Sequence, residues 1–204
     1  RHLIDEVIIE ISDHPKIVNY SVMISDKNIN EIPKFDDQNV LAPVQYKKNK
    51  QLNERYTFDV FVEGKGNQFA KAAALSVADN PGQTPFNPLL IYSPPGLGKT
   101  HLLQAIGNKI INDKPNYKVI YITGERFMFD FINSIQKNKT ADFSKRYRDI
   151  DMLLLDDAQF FKNKEQTQEQ FFHLFNYLYQ NGKQIILTSD RHPNKMDGFK
   201  ERLI

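Results

Sequence analysis

The chain has 204 residues, 40% of them hydrophobic and 25% charged, which is typical of one globular domain with at most part of a second and excludes collagen-like, coiled-coil and wholly disordered chains. It has no cysteine, which excludes disulfides, thiolate metal sites and a cysteine nucleophile and fits a cytoplasmic location. Its formal net charge of +2 argues against a dedicated duplex-binding domain, because such domains are usually strongly basic.

The first 25 residues contain one helical pattern and one alternating pattern. Apolar residues recur at helical spacing at Leu3, Ile4, Val7, Ile8 and Ile11. They alternate as in a half-buried strand at Val18, Tyr20, Val22 and Ile24. Because one helix and one strand cannot bury a core alone, we predict that residues 1–25 are the C-terminal remnant of a small N-terminal α/β interaction domain. The start at Arg1 and the end at Ile204 suggest a fragment.

Residues 26–52 are rich in Asn, Asp, Lys, Gln and Pro, and their apolar residues follow no period. This composition predicts a flexible linker rather than a packed element. The run KKNK at residues 47–50 is interpreted as a solvated tether, with a nucleic-acid contact as the alternative.

From residue 53 to residue 204, predicted helices alternate with short strands that are apolar on both faces. The strands are predicted at residues 89–92, 119–123, 152–155 and 184–188. The helices are predicted at residues 69–78, 99–112, 125–136 and 165–179. This alternation indicates an α/β fold in which helices cover both faces of a parallel sheet.

A glycine-rich segment, SPPGLGKT at residues 93–100, directly follows a predicted strand and opens a predicted helix, as a phosphate-binding loop requires. Gly96 and Gly98 let backbone amides approach phosphates closely. Lys99 is expected to reach the β and γ phosphates, and the Thr100 hydroxyl to bind Mg²⁺. The full pattern begins with glycine, where this chain has Ser93. A left-handed backbone would be costly for serine, so we expect either an ordinary backbone there or a slightly altered loop.

Two further strands are predicted to end in carboxylates. Asp156 and Asp157 follow the run MLLL, and Asp190 follows the run IILTS. In a P-loop hydrolase one such aspartate holds Mg²⁺, and a neighbouring carboxylate can orient or deprotonate the attacking water. We predict these roles for Asp156 and Asp157, and a position facing the γ-phosphate for Asp190. Taken alone, an acidic pair after a strand more often starts a turn.

Two other sets of residues are interpreted as structural. The five histidines show no spacing typical of a metal site. The aromatic-rich face is interpreted as core rather than as a base-stacking platform, and it consists of Phe171, Phe172, Leu174 and Phe175.

The P-loop and the two strands that end in aspartates, in this order and spacing, resemble those of AAA+ ATPases. Four further segments resemble the DnaA family of bacterial replication initiators: YTFDVFVEGKGN at residues 56–67, FINSI at 131–135, DDAQF at 156–160 and KEQTQEQFFH at 164–173. The resemblance runs from about residue 53 to residue 203, and residues 1–25 resemble the end of that family's N-terminal domain.

The resemblance implies roles for individual residues. Phosphate binding is implied for Gly96, Leu97, Gly98, Lys99 and Thr100, and adenine or ribose binding for Val62, Gly64 and Asn67. The Walker B pair corresponds to Asp156 and Asp157, and the sensor 1 residue to Asp190. Single-stranded origin DNA is expected to contact Ile132, Lys164, Gln166 and Thr167. Some relatives have arginine at the position of Gln166, which places a phosphate contact there in question.

The resemblance also implies ligands and partners. The ligands are ATP or ADP with Mg²⁺, and the activity is a weak ATPase that switches self-assembly on the replication origin. Further partners are duplex origin DNA through a C-terminal domain, the replicative helicase and regulators through the N-terminal domain, and acidic phospholipids. The family's arginine finger is expected just beyond Ile204, so this chain is expected to bind nucleotide and to hydrolyse it slowly.

Two other functional classes remain open. An AAA+ helicase loader or a DnaA-related regulator would share this domain but lack the N-terminal zone and polar linker, so residues 1–52 favour the initiator. A P-loop small-molecule kinase would need substrate-binding arginines near the phosphates, whereas residues 159–162 read QFFK.

Overall fold

The computed structural model describes residues 8–10 and 52–192. The strands are β1 (Ile8–Glu10), β2 (Leu89–Tyr92), β3 (Val119–Thr123), β4 (Met152–Asp156) and β5 (Gln184–Ser189). The helices are α1 (Gln68–Asp79), α2 (Lys99–Asp113), α3 (Gly124–Gln136), α4 (Thr140–Arg148) and α5 (Glu165–Gln180), and a short 3-10 helix spans Ala158–Phe161. No helix in these ranges is both long enough and apolar enough to cross a membrane.

The strands form one parallel sheet in the order β1-β2-β5-β4-β3. Strand β5 therefore lies between β2, which precedes the glycine-rich loop, and β4, which precedes Asp157. All strands point the same way, so their carboxyl ends meet at one edge, which is where ligands bind in open α/β sheets. The sheet brings the three predicted site segments to this edge.

Each face of the sheet has its own hydrophobic core. Along β4, Met152 and Leu154 belong to the core that contains residues of α1 and α2. The alternate residues Leu153 and Leu155 belong to the core that contains residues of α3, α4 and α5. The α/β fold with helices on both faces of a parallel sheet is therefore confirmed, and the aromatic face of α5 is buried as predicted.

The structure differs from the sequence-based prediction at three places. Residues 8–10 are a strand that pairs with β2, whereas helical spacing predicted a helix; the β-branched run from Val7 to Ile9 suits a strand equally well. Helix α4 was not predicted, because only Phe143 and Tyr147 of its nine residues are buried. Leu52 is buried in the core of the domain, one residue before the predicted start.

The division into residues 1–25, 26–52 and 53–204 stays a prediction. The strand predicted over residues 18–24 and most of the predicted linker lie outside the described residues.

Candidate nucleotide-binding site

The loop between β2 and α2 has two glycines in the left-handed conformation. Gly96 has a φ of 82° and Gly98 a φ of 85°, a region that glycine enters without steric cost. Gly98 precedes α2, and its carbonyl oxygen accepts a hydrogen bond from the Leu102 amide at 2.9 Å. The loop therefore leads directly into a helix N-terminus, where free amides and the helix dipole favour an anion.

Ser93 has an ordinary backbone. The described non-glycine residues with a positive φ are Asn138, Asp157 and Asn163. Ser93 is 1% exposed, and its amide donates to the Ser189 carbonyl oxygen of β5 at 3.2 Å. The first of the two alternatives for this position is therefore confirmed: serine extends the pairing of β2 with β5 without strain.

The ammonium group of Lys99 lies inside the loop. Its Nζ donates to the carbonyl oxygens of Ser93 at 2.8 Å and Pro94 at 3.2 Å, and the residue is 7% exposed. Carbonyl oxygens are neutral acceptors, whereas a phosphate oxygen carries the charge opposite to that of the ammonium group and would form a stronger hydrogen bond with it. The ammonium group is therefore held where an anion could replace its present partners.

A cavity of about 400 Å³ lies above the loop, a size typical of small-molecule sites. Its lining residues are Tyr56, Pro95, Gly96, Gly98, Lys99, Thr100, His101, Asp157, Gln159 and Asp190. The structure therefore brings the loop together with two of the three predicted catalytic carboxylates.

The third carboxylate, Asp156, is 2% exposed and is absent from that lining. Its Oδ1 accepts a hydrogen bond from the Thr188 hydroxyl, and its Oδ2 accepts one from the Tyr121 hydroxyl at 3.0 Å. Burial, followed by the nearby Asp156 charge, raises the pKa of Tyr121 well above its ordinary value. The phenol therefore stays protonated and remains a donor at physiological pH.

The oxygen atoms of Thr100 and Asp156 fit a hard cation such as Mg²⁺. An ionised carboxylate has about four acceptor positions, so Asp156 keeps capacity after accepting from its two hydroxyl neighbours. Because Asp156 lies outside the cavity lining whereas Thr100 lies in it, Asp156 is suited to hold an ion through water.

Gln159 connects two acidic residues at the cavity. Its Nε2 donates to Asp157 Oδ1 at 2.9 Å, and its Oε1 accepts from the Asp190 amide at 3.2 Å. Asp157 has a φ of 58°, and its amide donates to the Thr188 hydroxyl at 2.9 Å. Sequence reasoning missed Gln159, which reaches back to the carboxylate because the short 3-10 helix turns the chain after β4.

Asp190 places a buried carboxylate oxygen at the cavity. Its Oδ1 is buried without a hydrogen-bond partner, and the Arg191 Nε atom lies 3.8 Å from it. Buried polar atoms are usually hydrogen-bonded, so this oxygen has capacity for a ligand or a water molecule.

Three side chains on one face of α2 hold the segment that precedes α1. His101 Nε2 lies 2.8 Å from the Thr57 carbonyl oxygen, and Gln104 Oε1 accepts from the Asn53 amide at 2.7 Å. Asn108 Nδ2 donates to the carbonyl oxygens of Asn53 at 2.8 Å and Tyr56 at 2.9 Å. The spacing of three and then four residues puts these side chains on one helical face, although their polarity gave no sign of this role.

Two aromatic contacts extend this attachment to the loop. The Tyr56 ring stacks on His101 with centroids 4.9 Å apart, and Phe61 meets His101 edge-on at 5.3 Å. A Cβ added to Gly98 would lie 3.0 Å from the Phe61 ring. The interpretation of His101 as structural agrees with these contacts, and they place Tyr56 in the cavity wall.

The residues expected to bind adenine or ribose form one turn before α1. Asn67 Oδ1 accepts from the Gly64 amide at 2.8 Å, and Asn67 Nδ2 donates to the Val62 carbonyl oxygen at 3.0 Å. Val62 is 84% exposed. The three residues lie together, but none is in the lining of the cavity above the loop.

The residues expected to contact DNA differ in exposure. Ile132 on α3 is 44% exposed, and Lys164 and Gln166 are exposed at the start of α5. Thr167 is 4% exposed, so its side chain is not available to a ligand on the surface. Helices α3 and α5 both pack against the short 3-10 helix.

Comparison with known proteins gives the family. The model of the bacterial DnaA ATPase domain matches residues 52–204. The chromosomal replication initiator protein DnaA of Lacticaseibacillus casei is 56% identical over 169 residues, which are 83% of this chain and 36% of that protein. The chain thus spans about a third of the length of this relative.

Solved structures agree with this match. Domain III of the Thermotoga maritima replication initiation protein DnaA is 48% identical, with a TM-score of 0.71 over 74% of this chain and 63% of that one. A replication initiator DnaA bound to AMPPCP and single-stranded DNA is 45% identical, with a TM-score of 0.70 over 74% and 47%. The DnaC helicase loader, at 22% identity and a TM-score of 0.61, shares only the fold. The chain belongs to the DnaA family of replication initiators and includes the family's ATPase domain.

Proposed function

We propose that this chain is the nucleotide-controlled part of a replication initiator, in which bound ATP favours assembly on origin DNA and hydrolysis to ADP disfavours it. The observation that carries the proposal is the cavity that joins Lys99 and the glycine-rich loop to Asp157 and Asp190. A phosphate-binding loop facing two carboxylates is suited to bind a nucleoside triphosphate and hydrolyse it slowly.

The phosphates would lie on the loop. Amides around Gly96, Leu97 and Gly98 would donate to them, and Lys99 would exchange the carbonyl oxygens of Ser93 and Pro94 for phosphate oxygens. That exchange replaces neutral acceptors with charged ones, so it favours the bound state. The turn that contains Val62, Gly64 and Asn67 would hold adenine and ribose beside the loop.

Magnesium would be held by the Thr100 hydroxyl and, through water, by Asp156. When bound, the ion neutralises charge that develops on the phosphate oxygens. Asp156 has both oxygens fixed by hydroxyl donors, so its orientation is set before any ligand arrives.

Hydrolysis would depend on Asp157 and Asp190. Asp157 would orient or deprotonate the attacking water, and Asp190 would face the γ-phosphate. AAA+ motors usually have glutamate where this chain has Asp157, and a carboxylate shorter by one methylene reaches the water less well. A slow reaction suits a switch, because the ATP form then persists long enough to assemble.

Assembly is proposed to use the γ-phosphate as the link between subunits. A neighbouring copy would contact the γ-phosphate with an arginine, and hydrolysis would remove that contact. A ligand shifts such an equilibrium only by its difference in affinity for the two states. In the whole protein we further propose duplex origin DNA, the replicative helicase, regulators and acidic phospholipids as partners, and a cytoplasmic location.

The proposed surface for single-stranded DNA consists of Ile132, Lys164 and Gln166. An exposed apolar side chain can pack against bases or sugars, and a lysine can contact phosphates. This proposal is supported by the exposure of the three side chains and by the DNA-bound relative at 45% identity. Thr167 is proposed to act only through the position of its neighbours, since it is buried.

The test of nucleotide binding is equilibrium titration with fluorescent ATP and ADP, with and without Mg²⁺. We expect Lys99→Ala to weaken binding at least about 100-fold, because it removes the charge-assisted contacts to phosphate. Lys109→Ala is the matched control on the same helix, since Lys109 pairs with Asp113 and Asp79 away from the cavity. Equal affinity of the two variants would contradict the assignment of the site.

The DNA surface is tested by anisotropy with a labelled oligonucleotide. Ile132→Ser should weaken binding several-fold, whereas Ile135→Ser should not. The two isoleucines lie on α3 and are both 44% exposed. Comparing the two variants therefore separates the effect of the position from the effect of losing exposed apolar surface. Equal losses would remove Ile132 from the proposed surface.

A further inference from the structure

We propose that Gln159 is a positioning residue for ATP hydrolysis, which holds Asp157 and Asp190 at a fixed spacing around the site of the γ-phosphate. The inference rests on the proposed function, because it takes the cavity above the glycine-rich loop as the ATP site. It deepens that function by naming the residue that sets the geometry of the two carboxylates. Gln159 lines the same cavity as both aspartates and hydrogen-bonds to each of them.

The backbone of Asp157 is fixed from three sides. Its amide donates to the Thr188 hydroxyl of β5 at 2.9 Å, and its carbonyl oxygen accepts from the Phe160 amide at 3.2 Å. A Cβ added to Gly124, at the start of α3, would lie 2.7 Å from that carbonyl oxygen, so the peptide packs directly against a glycine. Because the backbone is held, the direction of the carboxylate depends on the side-chain torsions alone.

Gln159 restrains those torsions. Its Nε2 donates to Asp157 Oδ1 at 2.9 Å, and the bond joins residues only two apart because the short 3-10 helix turns the chain back on itself. A hydrogen bond to an ionised group is stronger than one between neutral groups. An ionised carboxylate has about four acceptor positions, so Asp157 keeps the capacity to accept from a water molecule while Gln159 holds it.

The other side of the Gln159 amide holds the turn that follows β5. Its Oε1 accepts from the Asp190 amide at 3.2 Å, and Asp190 Oδ1 is buried without a hydrogen-bond partner. Strands β4 and β5 are neighbours in the sheet, so this one side chain joins the residues that follow two adjacent strands. Loss of either hydrogen bond would let Asp157 and Asp190 move independently of each other.

The two hydrogen bonds require an amide at position 159. A backbone amide can only donate and an ionised carboxylate can only accept, so Gln159 presents its oxygen to Asp190 and its nitrogen to Asp157. Glutamate has nearly the same shape but offers only acceptors when it is ionised. It could keep the bond to Asp190, but it would place a second carboxylate at hydrogen-bond distance from Asp157, and such a pair resists full ionisation.

Positioning by Gln159 acts on the reaction rather than on the binding of ADP. In hydrolysis, water attacks the γ-phosphorus, its proton passes to Asp157, and the bond from the γ-phosphorus to the bridging oxygen breaks to give ADP and inorganic phosphate. In the proposed site only ATP brings a phosphate to the two aspartates, since the other phosphates lie on the loop around Lys99. Variants of Gln159 should therefore lower the rate constant and leave the affinity for ADP unchanged.

The first experiment measures single-turnover hydrolysis of radiolabelled ATP with Mg²⁺, with the protein in excess so that slow rates are resolved. Gln159→Met keeps the length of the side chain and removes both hydrogen bonds, so we expect the rate constant to fall about 10- to 100-fold, with ADP affinity unchanged within about twofold. Gln170→Met on α5 is the matched control, since Gln170 Nε2 contacts Ser144 Oγ at 3.4 Å and lies outside the cavity lining. A rate constant in Gln159→Met within about twofold of the unaltered chain, or an unaltered chain that binds ATP without hydrolysing it, would overturn the inference.

The second experiment repeats this measurement across pH with Gln159→Glu, which preserves the packing. Two facing carboxylates raise the pKa of one member of the pair, so we expect the acid limb of the rate profile to move to higher pH by at least about one pH unit. The other titratable and charged groups that line the cavity or adjoin Asp190 are the same in both chains: Tyr56, Lys99, His101, Asp157, Asp190 and Arg191. Gln170→Glu adds the same charge outside the cavity and should keep the profile.

The pH profile separates positioning from packing, because a side chain that only fills space would leave the profile in place. An unmoved acid limb in Gln159→Glu would therefore contradict the role of Gln159. If Gln159→Met does not fold, Gln159→Glu alone decides the question. Failure of the proposed function would differ from both results, since the unaltered chain would then bind no ATP.

Discussion

Gly98 joins the phosphate loop to α2 under two separate constraints. Its φ of 85° lies in the left-handed region, and an added Cβ would approach the Phe61 ring to 3.0 Å. The first constraint concerns the backbone of the loop, and the second concerns Phe61 in the segment that precedes α1. Any side chain at position 98 would therefore disturb both the loop and the packing of Phe61 against it.

We expect Gly98→Ala to lower the free energy of unfolding by about 1–3 kcal/mol, from left-handed strain and the close contact together. Gly64→Ala is the control, because a Cβ there would meet nothing within 4 Å and no positive φ is present. It should change stability by less than about 0.5 kcal/mol. Urea unfolding of both variants checks this, and equal effects would mean that the Gly98 backbone is not constrained.

At the scale of elements, one aromatic side chain of α3, Phe127, contacts rings from three other elements. The Phe127 ring lies between 5.3 and 5.8 Å from the rings of Phe143, Tyr147, Phe161 and Phe171, centroid to centroid. These partners come from α4, the short 3-10 helix and α5. Phe127 therefore joins the elements on one face of the sheet.

Phe127→Ala should lower the free energy of unfolding by about 3–5 kcal/mol, because a fully buried ring is lost and a cavity remains. Ile135→Ala on the same helix removes a side chain that is 44% exposed and should cost less than about 1 kcal/mol. Chemical denaturation measures both. A loss below about 1.5 kcal/mol for Phe127→Ala would mean that its neighbours close the cavity.

Asp151 ties together the amino ends of three strands. Its Oδ1 accepts from Lys183 Nζ at 2.8 Å, ahead of β5, and its Oδ2 accepts from the Lys118 amide at 3.0 Å, ahead of β3. Burial alone would raise the pKa of Asp151, but the hydrogen bonds and charges of Lys183 and Lys118 outweigh it and hold the pKa below 3.8. The ionised carboxylate is therefore the form that the fold stabilises.

This lowered pKa predicts a dependence of stability on pH. A carboxyl whose pKa is lower in the folded state stabilises the fold above its unfolded value, and that stabilisation is lost as the pH falls through the folded value. Asp151→Asn should cost about 1 kcal/mol at neutral pH, and its difference from the unaltered chain should shrink below pH 3.8. Urea unfolding at several pH values measures this difference in stability. The control is Asp149→Asn, which removes one partner of an exposed ion pair. A difference that stays constant with pH would contradict the assigned cause.

The elements that were predictable from sequence share one property. All four are short runs of residues that are apolar on both faces, a pattern typical of strands in a buried parallel sheet. β2 and β3 were predicted with the observed bounds, and β4 and β5 extend one residue further than predicted. The sequence did not predict α4, because only Phe143 and Tyr147 of that helix are buried and most of its other residues are polar. β1 failed because a short apolar run fits the helical and extended periods equally.

The parts of the candidate site that lie in local sequence motifs were predictable, and the parts that depend on contacts between distant residues were not. The loop, Asp157 and Asp190 could be predicted to lie at one edge of the sheet, since each follows a strand and the strands are parallel. Gln159 and Tyr121 could not, because their roles depend on which side chains meet across neighbouring strands and turns. Neither contact has a signature in sequence spacing.

At the scale of the whole molecule, nucleotide binding should stabilise the domain. At 100 times its dissociation constant, a ligand adds about 2.7 kcal/mol to the free energy of unfolding, which is roughly 5–10 °C in Tm for a chain of this size. Mg²⁺ with ATP should produce this shift in the unaltered chain and in Lys109→Ala, but not in Lys99→Ala. Differential scanning fluorimetry checks it, and a shift that persists in Lys99→Ala would place the nucleotide elsewhere.

Helix α2 has the glycine-rich loop at its amino end, and the segment that precedes α1 lies along its side. His101, Gln104 and Asn108 attach that segment at three points along one face of the helix. The helix therefore links the position of residues 53–57 mechanically to the glycine-rich loop at its amino end.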